Sequence, residues 1–236
     1  MRTNTLTEIK KGQTGTGLLI EQDGYVSLDI KNNRQLTESV VNEDGIRELP
    51  RPFVVHAVFQ KYGIENANGR IYPEDILKRE VEKYQQKIKM RNSIGECNHP
   101  DDSNINLERT SMLITELHWE GRTLVGQIEI PITEGYRKYG IISCLADHIA
   151  HLILNNILIG VSSRALGTVK KVGNVLVVDD SLEILCWDYV STPSTPNAWI
   201  STNYEDLEPF KESEKKDDSK LISENKYSKF DAWLND

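Results

Sequence analysis

Cysteine is scarce: Cys97, Cys144 and Cys186 are the only three in 236 residues, and no two are spaced as Cys-x-x-Cys. An odd number without redox or metal spacing excludes a disulfide framework and fits free, structural thiols in a reducing compartment. His-Glu-x-x-His is absent, and the glycines near Gly12 and Gly17 match no phosphate-binding loop. Long clean apolar runs are missing too. The longest candidate, Ile141 to Ile159, is broken by Asp147, His148, His151 and two asparagines, which excludes it as a bilayer span. Positive charge is in deficit, with 28 Lys and Arg against 36 Asp and Glu and a net charge of -8. That balance argues against non-specific binding of nucleic acid or anionic membrane, which needs clustered cations. No N-terminal window joins a basic start to an apolar run and a cleavage site. The expectation is a cytosolic protein with no cofactor, nucleic-acid partner or membrane partner.

Hydrophobic residues at 38% and charged residues at 27% suit a globular chain with polar appendages, long enough to bury one large core. Residues 1–16 are polar and read as a flexible arm. Two short apolar stretches flank Asp23-Gly24, a hairpin dipeptide, and residues 31–52 read as a charged, mobile loop. Phe53–Phe59 (FVVHAVF) predicts a buried strand, with His56 as an ordinary strand-face histidine. Pro73 opens a predicted helix to Met90, because Ile76, Leu77, Val81, Tyr84 and Ile88 recur at helical spacing.

Further along, residues 106–117 and 124–130 alternate like strands around Glu120-Gly121-Arg122. Residues 135–159 predict one or two helices. They lead into Gly160-Val161-Ser162-Ser163-Arg164-Ala165-Leu166-Gly167, which we read as a turn presenting a hydroxyl. Residues 168–178 and 181–188 read as a hairpin around Asp179-Asp180. A Pro-rich segment, 189–198, follows, and from Glu205 the chain becomes a charged, flexible tail. The domain expected between arm and tail is 17–204, followed by the tail at 205–236.

Nucleophilic chemistry needs a hydroxyl, an imidazole to take its proton, and an acid to hold the imidazole's tautomer. Ser162 or Ser163 supplies the first and His99 the second, Pro100 being expected to keep His99 extended. For the acid, Asp188 closes an apolar strand beside Trp187, where a carboxylate must be partnered. Glu108, Asp101 and Asp179 are its rivals, each with surface solvation as the plain alternative. A loop histidine capped by Asp101 or Asp102 is the plain alternative for His99. A metal-dependent hydrolase is a second reading: Cys97, His99 and Asp101 could begin a site, and His148 and His151 share a helix face. Cys97 as a nucleophile is disfavoured by its closeness to His99 on one element.

Four motifs occur together and in order: NANGRIYP (Asn66–Pro73), GECNHP (Gly95–Pro100), GVSSRALG (Gly160–Gly167) and WDYVSTPSTPNAW (Trp187–Trp199). As a set they resemble the prohead core proteases of tailed phages, the T-even type in particular, which are related in fold to the assemblins of herpesviruses. The resemblance covers about residues 17–200. It implies an α+β, mostly β fold: a closed antiparallel β-barrel surrounded by helices. It implies a serine endopeptidase of capsid maturation with His99 as base, Ser162 as nucleophile and Asp188 as the orienting acid. Arg164 and neighbouring amides would be oxyanion-side donors, with Ser163 a neighbour. Substrates would be scaffold, internal and major capsid proteins inside the prohead, within the host cytoplasm, and a homo-oligomer is left open. Cleavage would follow Glu in Leu/Ile-x-Glu. Leu36-Thr37-Glu38 and Ile222-Ser223-Glu224 make Glu38 and Glu224 self-cleavage candidates, although Leu6-Thr7-Glu8 shows that such matches also arise by chance. An inactive structural protein of the prohead is the alternative from another class, and three filled triad positions speak against it.

Overall fold

The computed structural model describes residues 47–202, together with 17–20, 40–41, 204 and 207. The arm 1–16, the Asp23-Gly24 hairpin, Glu38, Glu224 and nearly all of the tail 205–236 lie outside the described residues. In chain order the strands begin with β1 (Gly17–Ile20), β2 (Val40–Val41), β3 (Arg47–Glu48), β4 (Phe53–Lys61) and β5 (Arg70–Ile71). Helix α1 (Glu74–Lys89) precedes β6 (Ile94–Glu96), β7 (Thr110–Glu120) and β8 (Thr123–Ile130). Helices α2 (Glu134–Tyr139) and α3 (Leu145–Leu154) then lead to β9 (Gly160–Gly167). The last strands are β10 (Val169–Val172), β11 (Val175–Val178), β12 (Glu183–Val190) and β13 (Ile200–Ser201).

Most elements follow the sequence pattern. α1 buries Leu77, Val81 and Tyr84 and carries acids in its first turn and lysines in its last, matching the helix dipole at both ends. β7 and β8 form the expected hairpin, with Gly121 at φ +54 in its turn. β4 pairs antiparallel with β8 along its whole length. Two expectations are corrected. Residues 160–167 form a strand and not a turn, because β1 and β12 flank β9 and take up its backbone groups. The hairpin in 168–178 turns at Gly173, with φ +62, and not at Asp179-Asp180. Asp179 instead accepts the Ser181 amide at 3.0 Å and stabilises a local bend.

Among the described residues the strands make four sheets. One runs β13-β4-β8-β7-β6, one β1-β9-β12, one β10-β11-β5, and β2 pairs with β3. The fold is mostly β, with few helices. No sheet closes on itself, so the closed barrel is corrected to two main sheets that meet at narrow seams. Single bridges, Cys97 with Tyr189 and Gly160 with Trp199, replace continuous ladders there. Asn98 N donates to Tyr189 O at 2.9 Å at the first seam, and Val161 N to Ala198 O at 2.9 Å at the second. Trp187 fills the core between the sheets, edge-on to Phe59 at 5.6 Å and to Tyr84 at 4.8 Å.

α2 and α3 are joined through Asp147. Its carboxylate accepts the Thr133 amide (2.7 Å), the Thr133 hydroxyl (2.9 Å), the Ser143 amide (3.0 Å) and the Ser143 hydroxyl (2.9 Å). Burial alone would raise this carboxyl, but those four donors outweigh it and hold Asp147 below the usual carboxylate range. Asp147→Ala is expected to cost about 3 kcal/mol at neutral pH, since two helix starts lose their acceptor and buried donors go unmet. A carboxyl depressed by folding stabilises above its unfolded value and loses that contribution as pH falls through the folded one. Urea unfolding of the two proteins should therefore differ fully at neutral pH and progressively less below about pH 4.

Candidate active site

Ser162 and Asp188 come from neighbouring strands, directly opposite each other in the β9–β12 register. Directly opposed residues of an antiparallel pair share a face, their Cβ atoms about 5 Å apart. Arg164 and Cys186, also opposed, lie two residues further along and share that face. Ser163 pairs with Trp187 and faces the other way. Four of the side chains that sequence reasoning singled out are thus sorted by strand period alone.

His99 arrives from the other sheet. β6 can press against β12 because residue 95 is glycine: a Cβ there would overlap the Trp187 carbonyl oxygen. This approach lets the Glu96 amide donate to Asp188 Oδ1 at 2.8 Å. The chain then turns sharply, with Asn98 at φ 65 and His99 at φ 39. His99 is therefore not extended, and the pre-proline expectation is corrected. Left-handed backbone is unfavourable for two successive non-glycine residues. It is held here by the Asn98–Tyr189 hydrogen bond and by the ring itself, whose Nδ1–H donates to Asp188 Oδ2 at 2.7 Å. That bond fixes the tautomer and leaves Nε2 as the basic nitrogen. Nε2 is buried and has no hydrogen-bond partner among the described residues. Ser162 is 1% exposed, His99 4% and Asp188 0%.

The Asp188 carboxylate meets the Glu96 amide, the His99 ring, the Arg164 guanidinium and the Cys186 thiol. Burial would raise its carboxyl, yet the His99 hydrogen bond, the charges of His99 and Arg164 and the Glu96 amide together hold it below the usual range. Arg164 is wholly buried. Its Nε lies 3.0 Å from Asp188 Oδ2, its Nη2 donates to Glu96 Oε1 at 2.9 Å, and its Nη1 donates to the Asp102 carbonyl at 2.7 Å. Its Nε also reaches Cys186 Sγ at 3.3 Å. Burial would lower the guanidinium, but Asp188 and its other partners outweigh this and raise it. Each guanidinium nitrogen is thus engaged, by Asp188 and Cys186, by Glu96 and by the 102–104 backbone.

The rival residues are placed elsewhere. Asp101 and Glu108 are exposed, and Asp179 serves its own bend. His148 and His151 are exposed on α3, and among the described residues no three His, Cys, Asp or Glu side chains are grouped to hold a metal ion. Burial pushes the Cys97 thiol up, the opposite of what an attacking thiolate requires. Sequence reasoning missed Glu96. Its signal was present: an acid between glycine and cysteine in a short strand, which must be partnered if that strand is buried.

The chain matches the family described as prohead core protein serine protease over residues 18–207. It is 27% identical over 150 residues to the prohead core protein protease of Enterobacteria phage T4, covering 62% of this chain and 67% of that protein. Its fold is similar to the solved structure of the bacteriophage T4 capsid assembly protease, with a TM-score of 0.58 at 22% identity. That likeness covers 75% of this chain and 99% of the other.

Proposed function

Because the chain belongs to the family of prohead core protein serine proteases, we propose that it matures the phage prohead through a Ser162–His99–Asp188 triad. It is a peptidase of the prohead, and phage capsid or scaffold proteins are its substrates. The observation that carries the triad is the buried His99–Asp188 pair at 2.7 Å, with Ser162 opposite Asp188 on the adjoining strand. In this reading Ser162 Oγ attacks the scissile carbonyl and its proton passes to His99 Nε2. Asp188 holds the imidazole and stabilises the imidazolium that forms. The proton is then returned to the leaving amine, and water repeats the sequence on the acyl-enzyme. Arg164 positions Asp188 and is not assigned to the oxyanion. Ser163 has no chemical step.

The matched span 18–207 supports taking 17–204 as the protease domain. Substrates are cut after Glu in Leu/Ile-x-Glu, and the chain trims itself at Glu38 and Glu224. The enzyme works inside the prohead, in the host cytoplasm. Intact-mass spectrometry of the purified chain incubated with its cognate scaffold protein tests this. New carboxyl termini are expected at Glu in the scaffold and at Glu38 and Glu224 in the enzyme. Cleavage elsewhere would reject the specificity, and intact enzyme termini beside cleaved scaffold would reject self-processing.

A further inference from the structure

Glu96 is a second carboxylate within the site that the triad does not use. It is wholly buried, and every oxygen is engaged: Oε1 accepts from Arg164 Nη2 and from the Asn106 amide, both at 2.9 Å. Oε2 accepts from Arg109 Nε at 3.0 Å. Arg109 is half exposed at the outer end of this chain of charges. From solvent inward the order is Arg109, Glu96, Arg164, Asp188 and His99, so cation and anion alternate up to the imidazole.

We propose that Glu96 is a positioning residue for the reaction. It draws the Arg164 guanidinium partly away from Asp188, so that Asp188 keeps negative charge to offer His99. Without Glu96, Arg164 would neutralise Asp188 alone, and an imidazolium formed at His99 would be less stabilised. The same carboxylate fixes the loop that presents His99, through Asn106 on one side and through Arg164's bond to the Asp102 carbonyl on the other. This inference rests on the triad reading above.

Other groups around the imidazole do not compete for this role. Burial raises the thiols of Cys97 and Cys186 and the phenol of Tyr84 on α1, so all three stay neutral at working pH. Asp101 and Asp102 lie exposed on the histidine's own loop, where solvent screens them. Asp188, held below the usual carboxylate range, stays ionised wherever the enzyme is assayed.

The test is the pH dependence of kcat/KM for cleavage of the cognate scaffold protein, between about pH 5 and 9, by wild type, Glu96→Gln, Arg109→Gln and Ser162→Ala. Glu96→Gln removes a negative charge, so its acid limb is expected about one unit lower in pH, with the plateau reduced roughly tenfold. Arg109→Gln removes a positive charge from the exposed end and is expected to move the limb the other way, by a few tenths of a unit, less at high salt. A carboxylate that only braced the loop would lower the plateau and leave the limb in place in both variants, and that result overturns the inference. If Glu96→Gln does not fold, Arg109→Gln decides alone, being a half-exposed change. Cleavage by Ser162→Ala at the wild-type rate would instead overturn the triad reading, and this inference with it.

Discussion

Ser162→Ala is expected to lower turnover on cognate scaffold by about 10⁶, the scale seen when a triad nucleophile is removed. The fold should survive, because the change deletes one oxygen and keeps the β9 backbone that β1 and β12 hold. The hydroxyl's own interactions are worth about 1 kcal/mol of stability. Ser163→Ala is the matched control. It removes the same atom one residue away, on the face that meets Trp187, and is expected to keep most activity. Intact-mass time courses at equal folded enzyme distinguish the two. Equal rates for wild type and Ser162→Ala would remove Ser162 from the mechanism. Equal losses for both serines would mean that a strand defect, and not chemistry, is being measured.

The largest stability effect is expected at Arg164. Arg164→Met keeps much of the side chain's length and apolar stem but leaves Asp188 and Glu96 buried without their shared cation. Breaking a buried ion pair from one side costs about 3–5 kcal/mol, a large share of the 5–15 kcal/mol that holds a typical domain folded. The deficit should shrink in acid. Asp188's pairing stabilises the fold above its unfolded value and fades as pH falls through the folded one, where a neutral carboxyl no longer needs the cation. Urea unfolding at neutral and acid pH checks both size and direction. A cost below about 1 kcal/mol at neutral pH would show that the carboxylates find another partner or a proton.

Much of the proposed site was legible in short motifs, because Ser162, His99 and Asp188 each sit in a local pattern of unusual residues. Once 160–167 is seen to be a strand paired with β12, strand period separates Ser162 from Ser163. What could not be read is what arises between distant segments. β9 gave no alternation, since it is buried on both faces and carries Ser162, Ser163 and Arg164 in succession between glycines, a composition that does not declare a strand. The pairing of Glu96 with Arg164 joins positions 68 apart in the chain, which no local pattern announces. The backbone of His99 overrode its pre-proline preference because tertiary hydrogen bonds outweigh a local bias. The barrel expected from resemblance became two sheets because its seams are single bridges, which no strand pattern encodes.

The division of the site between those two sheets has a consequence for when activity can appear. Ser162 and Asp188 become neighbours as soon as β9 and β12 pair, two strands close in sequence. His99 joins only when the sheet that carries β6 docks, closing a separation of 89 residues. Long closures of this kind are entropically costly and come after local pairing. On the proposed triad, a chain in which only β9 and β12 have paired holds its hydroxyl and acid together without the imidazole. If that triad carries the reaction, activity requires the two sheets to be docked, and a chain in which they are apart does not cut the proteins around it.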